Sequence, residues 1–317
     1  MVGHAIQSIL SLALLILVGF FLETREWFEG GSVIFSKYCT NFSIPCYMVY
    51  NLITVAPSRA ILLEIAANLP VPLVVMLAGT AMAAMLAKLF RVTPGRRGIF
   101  VIAGSFSNTV FIGFPVVQGI YGEEGLPIAM VYYMMSLILF WTMGIYIMGR
   151  DSENPVSFFS KEGLRKIFFA PPMLGLGLGI LLVVSGVELP EFVVSALDRV
   201  QSTTTPMAMI FIGCVIYHIR FRELNLSKDI LLAMLMKFIG LPAVMWAVCA
   251  MLPIPLLYKQ VFFSMSALPT MTQVGLLAKE CGSDYQFASL VVSLTTVTSI
   301  VVIPVYAWII ERFVVFY

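Results

Sequence analysis

Charge is what this sequence has least of. Acidic and basic residues together make up 11% of it, where a soluble domain carries about 25%. With 60% of residues hydrophobic and a mean hydropathy of +0.97, that deficit excludes an ordinary water-soluble domain and calls for a polytopic membrane protein embedded in a lipid bilayer. The formal net charge is only +2 and the basic residues are scattered, so nucleic acid is not an expected partner. Histidine is nearly absent, at two residues, and the five cysteines (Cys39, Cys46, Cys214, Cys249, Cys281) stand far apart with no CxxC spacing. Neither a metal site nor a disulfide framework is expected, and the cysteines read as small apolar residues. No acid, histidine and nucleophile cluster inside an apolar run, so enzyme chemistry is not expected and no catalytic residue or cofactor is assigned. The opening MVGHAIQSIL lacks the basic stretch of a signal peptide, and the first apolar run is expected to stay as a helix.

What the sequence has in plenty is apolar runs long enough to span a bilayer, about 20 residues each. They fall at 5–22, 33–54, 68–90, 98–121, 125–148, 168–187, 201–218, 229–252, 259–280 and 285–311, which predicts ten helices. The polar connector 149–168 divides them into two sets of five, 1–148 and 169–317. An odd number of spans per half inserts the halves in opposite senses, so the expected fold is an all-α membrane protein of two inverted five-helix repeats. Matched prolines support the repeat: Pro45 and Pro206 in the second helix of each half, Pro115 and Pro269 interrupting the fourth and ninth. Basic residues gather on one side, at Arg25, Lys88, Arg91, Arg96, Arg97, Arg150, Lys161, Arg165, Lys166, Arg220, Arg222, Lys228 and Lys279. The other side has Arg59, Arg199, Lys259 and Arg312. The rich side is expected to be cytoplasmic, with 149–168 a cytoplasmic linker and both termini outside.

The interruptions lie deep. Asn108 stands ten residues past Gly98 and Pro269 ten past Lys259, so each is about 15 Å in, from opposite faces. A proline removes a backbone donor, and unpaired peptide groups in lipid cost several kcal/mol each; non-helical backbone survives at that depth only inside protein or beside a water-filled cavity. Each break also opens a new helix N-terminus with free N–H groups and partial positive charge, which suits a carboxylate. Asn108, Thr109, Thr270, Thr272 and Gln273 supply side-chain partners at the same level, with Gly113 and Pro115 shaping the first break. The alternative is a pair of proline kinks used for packing. Lys237, about 12 Å along the eighth helix from Asp229, is either a counter-charge or protonation switch for the substrate or a side chain snorkelling to the interface. Lys37 reads as a snorkelling anchor. The glycines of GLGLG at 175–179 read as close helix packing rather than a nucleotide loop, and Tyr132, Tyr133, Trp141 and Tyr146 read as interface and packing aromatics.

NTVFIGFP at 108–115 followed by Tyr121–Gly122 resembles the first crossover of the auxin efflux carrier family, within the wider bile acid/sodium symporter-like superfamily. SIPCYMVYNL around Pro45, APPMLGLGLGILLVVSGVELPEF at 170–192, TPMAMIFIGCVI at 205–216, ALPTMTQVGLLAKECGSD at 267–284 and SLTTVTSIVVIP at 293–304 match its other helices in order. The resemblance implies broken helices four and nine that cross, and a transport part that moves against a scaffold in an elevator-like alternation. It also implies small organic acid substrates, auxin-like or malate- and malonate-like, and carriers that can pair into homodimers. It adds Thr296 and Ser299 near the crossover. Val110 stands where bacterial relatives often have glycine, and Gln273 where asparagine is common. The expected function is therefore a secondary transporter of small organic anions in a bacterial inner membrane, with sodium or proton coupling left open. A membrane-embedded sensor of such an acid is the alternative, and a channel a third class.

Overall fold

The computed structural model describes residues 2–27, 31–149, 169, 171–218 and 227–312. Among them every regular element is helical and no strand forms. In chain order the helices are α1 (Val2–Thr24), α2 (Gly31–Tyr38), α3 (Ile44–Val55), α4 (Arg59–Ala67), α5 (Pro70–Leu89), α6 (Arg97–Ser105), α7 (Phe114–Tyr121), α8 (Gly125–Leu139), α9 (Ile145–Gly149), α10 (Pro171–Ser185), α11 (Glu191–Gln201), α12 (Thr204–Tyr217), α13 (Lys228–Leu235), α14 (Leu241–Met251), α15 (Leu256–Ser266), α16 (Gln273–Glu280) and α17 (Tyr285–Arg312). Helical segments cover each apolar run read from the sequence. Among the described residues, five continuous helical stretches are long and apolar enough to cross a bilayer: Arg59–Leu89, Gly125–Gly149, Glu191–Tyr217, Lys228–Met251 and Tyr285–Ile310. Apart from Gly149, the linker expected at 149–168 lies outside the described residues, as do Met1 and 313–317, on which the sidedness of the termini bears.

Among the described residues, four wide π turns join helix pieces: Cys39–Ser43, Thr109–Gly113, Phe140–Gly144 and Met236–Gly240. Three of them are followed two residues later by proline, at Pro45, Pro115 and Pro242. A proline ring collides with the carbonyl four residues back, and a π turn widens the ladder just ahead of that clash. Accordingly the Ile44 N–H donates to the Cys39 carbonyl and the Leu241 N–H to the Met236 carbonyl, five residues back instead of four. Pro242 has no N–H to offer the Phe238 carbonyl, and the Tyr306 hydroxyl of α17 donates to it instead. The π turn that carries Lys237 is thereby pinned to α17.

The chain forms two compact units. The first comprises the described residues of Met1–Asn68, Val110–Val131 and Arg165–Ile219. Here α1 packs along α12 and α3 along α10, with backbones in close approach. A Cβ on Gly213 would overlap the Ile16 carbonyl, and one on Gly175 the Pro45 backbone. Of the GLGLG glycines, Gly175 and Gly179 face α3 while Gly177 meets nothing, so the stretch serves packing, as small residues do between membrane helices. Tyr47 stacks on Phe114 with ring centroids 5.7 Å apart. Lys37 is exposed.

The second unit comprises the described residues of Leu69–Thr109, Tyr132–Leu164 and Arg220–Tyr317. In it α6 packs against α5, α9 and the Met236–Gly240 turn. Arg96, ahead of α6, gathers the other elements' ends: its Nε donates to Asp284 at 2.7 Å, and its guanidinium lies over the Phe287 ring. Asp229 in turn accepts from the Thr93 hydroxyl at 2.7 Å.

Candidate functional site

The first break comes earlier than its proline. Helix α6 stops at Ser105, Phe106 is extended (φ −113°, ψ 132°), and helical winding resumes at Thr109. Pro115 sits at the start of α7, directly behind the Thr109–Gly113 π turn and six residues after the winding resumes. The expectation that Pro115 itself interrupts the fourth helix is thus corrected: the chain opens at 106–108, seven or more residues ahead of it. At the second break, Ala267 ends α15 and helical winding resumes at Gln273 of α16. Pro269 does lie inside this gap.

The two breaks satisfy each other. Ser107 and Thr270 form an isolated antiparallel bridge. The Asn108 N–H donates to the Pro269 carbonyl at 2.8 Å, and the Met271 N–H to the Phe106 carbonyl at 3.2 Å. The Thr270 hydroxyl donates at 2.9 Å to the Ala103 carbonyl, which the end of α6 leaves without a helical donor. The Thr270 N–H finds the Thr295 hydroxyl of α17 at 3.2 Å, and the Thr109 N–H the Ser107 carbonyl at 2.9 Å. This is how peptide groups freed from a helix survive in an apolar interior, where each must find a partner. It also narrows one expectation. The amides of Asn108, Thr109, Thr270 and Met271 are consumed by the crossing, so at this level the groups available to a ligand are mainly side chains.

Those side chains are buried and incompletely bonded. Lys237 is 0% exposed, and its Nζ donates to Ser107 Oγ at 2.6 Å. The snorkelling alternative for Lys237 therefore fails: the amine turns inward to the crossing. Tyr132 of α8, also fully buried, brings its hydroxyl beside that of Ser107 without closing a hydrogen bond. Ser136 lies one turn further on the same face of α8. The hydroxyls of Tyr132, Ser136 and Thr109 have no hydrogen-bond partner among the described residues. Buried polar groups are nearly always satisfied, so these open hydroxyls, with that of Tyr132 beside the Ser107 that Lys237 bonds, mark a place for a polar guest or ordered water.

The remaining sequence-predicted residues divide. Asn108, Thr109, Thr270 and Lys237 belong to this cluster or its backbone bridge. Thr272 and Gln273 are half-buried at the start of α16, with the Thr272 hydroxyl donating to Gln273 Oε1 at 3.3 Å. Thr296 and Ser299 are buried on α17, but their hydroxyls donate to carbonyls of their own helix, Val292 at 2.7 Å and Thr296 at 2.6 Å. Gly113 and Pro115 lie beyond the crossing along the chain, in the first unit. Ser107, Tyr132, Ser136 and Thr295 carry the arrangement and were missed or read as packing. Ser107 adjoins Asn108 at the break, and that adjacency was the one available signal.

Comparison with known proteins supplies the context. Residues 4–307 match the family described as membrane transport protein. The chain is 26% identical over 232 residues to an uncharacterized transporter of Methanocaldococcus jannaschii, covering 70% of this chain and 71% of the relative. It is 25% identical over 306 residues to an uncharacterized transporter of Methanothermobacter thermautotrophicus, covering 95% and 97%.

Proposed function

Because the chain belongs to the membrane transport protein family, that of the auxin efflux carriers, we propose that it is a secondary transporter of small organic carboxylates. Its anion is held where the two broken helices cross. The observation that carries this reading is the fully buried Lys237 amine bonded to Ser107 at the Ser107–Thr270 bridge, with the open hydroxyl of Tyr132 beside Ser107. A lone buried cation in a membrane protein is costly unless paired, and a carboxylate is the complement that this chemistry selects. Asn108 and Thr109 approach it from the first break, Thr270, Thr272 and Gln273 from the second. The α16 N-terminus adds first-turn amides and the positive end of a helix dipole. Thr296 and Ser299 offer only the spare acceptor capacity of their hydroxyls, and Gly113 and Pro115 set the path of the chain out of the crossing.

In this reading residues 1–148 and 169–317 are inverted repeats spanning the membrane ten times. Substrate crosses by elevator-like alternation in a bacterial inner membrane, both termini outside, as a homodimer. The test is a thermal-shift screen of purified protein against mono- and dicarboxylates, with and without sodium. Stabilisation by at least one acid, lost in Asn108→Ala, is expected. A panel without effect on the wild type would remove the carboxylate assignment.

A further inference from the structure

The second unit buries an amine, that of Lys237, beside which no acidic residue stands among the described residues. On the helix of Lys237, Asp229 stands about 12 Å back along the axis and is engaged by Thr93 and Arg96, while Lys228 donates to the Phe90 carbonyl. The elements packed on the π turn, α5 and α6, carry only Lys88 in the last turn of α5 and Arg97, whose Nε bonds the Val92 carbonyl. Ahead of α17, Asp284 pairs with Arg96, and within α17 Tyr306 bonds the Phe238 carbonyl. From α8, Tyr132 faces Ser107. Among the described residues no carboxylate reaches Lys237, and its Nζ has Ser107 Oγ as its one hydrogen-bond partner.

Resting on the carboxylate reading above, we propose that Lys237 is the proton-coupling group of this carrier: each anion enters the crossing together with one proton, held on the Lys237 amine, and the two leave together on the other side. A buried ammonium without a counter-ion and a buried carboxylate without a cation are each strongly disfavoured. Each therefore raises the affinity for the other by the same factor, as linkage requires. On loading, the amine lone pair forms an N–H bond to a proton taken from water, and the carboxylate stays ionised. On release that N–H bond breaks, and the proton returns to water as the anion departs. Ser107 is the positioning residue. Accepting from the ammonium leaves its own O–H free to donate to the anion, and the open hydroxyl of Tyr132 beside it offers a second donor. The tethered ammonium supplies the positive charge of the loaded site, so no sodium ion is required.

Isothermal titration calorimetry of the whole purified protein with malonate or malate, repeated in buffers of different ionisation enthalpy, counts protons taken up per anion bound. The wild type is expected to take up about one, the number of amine groups at the site. Lys237→Arg, a permanent cation, is expected to bind while taking up none, and Lys237→Met to bind weakly and take up none. In proteoliposomes held at zero potential with valinomycin and equal potassium, a one-unit inward pH gradient should accumulate the labelled acid about tenfold, the equilibrium ratio for one coupled proton. Zero proton uptake by wild type that binds the acid overturns the proposal and leaves the anion site standing. So does accumulation that follows sodium instead of protons, or that survives in Lys237→Met. Failure of every carboxylate to bind removes the anion site and this proposal together. The wild-type proton count decides even if a variant does not fold.

Discussion

Tyr306→Phe deletes one oxygen and tests how the π turn beneath Lys237 is held. Pro242 denies the Phe238 carbonyl its helical donor, and the Tyr306 hydroxyl replaces it. The surrounding groove is lined mainly by apolar side chains, among them Leu231, Leu235, Ile239, Val301, Val302 and Val305; its other hydroxyl, on Thr298, stands eight residues and about 12 Å back along α17 from Tyr306, and lipid offers no donor. Removal of the hydroxyl therefore leaves an orphaned carbonyl, at a cost of about 1–3 kcal/mol. In a Pro242→Ala background residue 242 regains an N–H that reaches Phe238, and the same Tyr306→Phe change should then cost less than about half as much. The difference is a coupling energy of the size expected for groups sharing one partner, about 0.5–3 kcal/mol. Denaturant unfolding in mixed micelles, followed by the fluorescence of the four tryptophans, Trp246 and Trp308 among them, measures all four proteins. Equal losses in both backgrounds would refute the claim that Tyr306 compensates for the proline.

Three further outcomes follow from the packing and the crossing. Gly175→Ala drives a methyl into the Pro45 backbone and should destabilise by about 1–3 kcal/mol, as overpacking does, whereas Gly177→Ala meets nothing and should be neutral or stabilising by up to about 1 kcal/mol; melting temperatures in detergent rank the pair, and the reverse order would contradict the packing. Thr270→Val keeps side-chain shape but leaves the Ala103 carbonyl orphaned, so stability should fall by about 1–3 kcal/mol and hydrogen exchange at the Asn108 and Met271 amides should speed up; unchanged exchange would show that the threonine hydroxyl does not secure the bridge. Asn108→Ala removes only a side chain while its backbone N–H keeps the Pro269 carbonyl, so melting should be preserved and carboxylate binding lost in a filter-binding assay.

How far the sequence foretells this arrangement depends on whether the signal is local. Helical segments are legible because an apolar run of a given length leaves the backbone no other way to satisfy itself in lipid. The existence of two deep breaks is legible too, since Asn108 and Pro269 are poor residues for an unbroken span. Their exact partners are not. Proline marks the break only loosely: Pro115 follows the Thr109–Gly113 π turn inside the resumed winding, while the opening at Phe106–Asn108 depends on what stands opposite. Which donor meets which orphan carbonyl (Thr270 on Ala103, Tyr306 on Phe238) is a contact between residues far apart in the chain, and an ordinary threonine or tyrosine gives no local hint of it. Lys237 was visible as a lysine at depth, but its inward turn is fixed by Ser107, a residue that reads as unremarkable on its own.

The account stands on an organic anion occupying the crossing of α6 and α16. Counterflow of radiolabelled malonate or malate in proteoliposomes, with wild type beside Asn108→Ala of equal melting temperature, addresses it most directly. Saturable exchange by the wild type, absent in the variant, is the predicted result. Exchange equally rapid in both would contradict it, as would a wild type that exchanges no carboxylate at all.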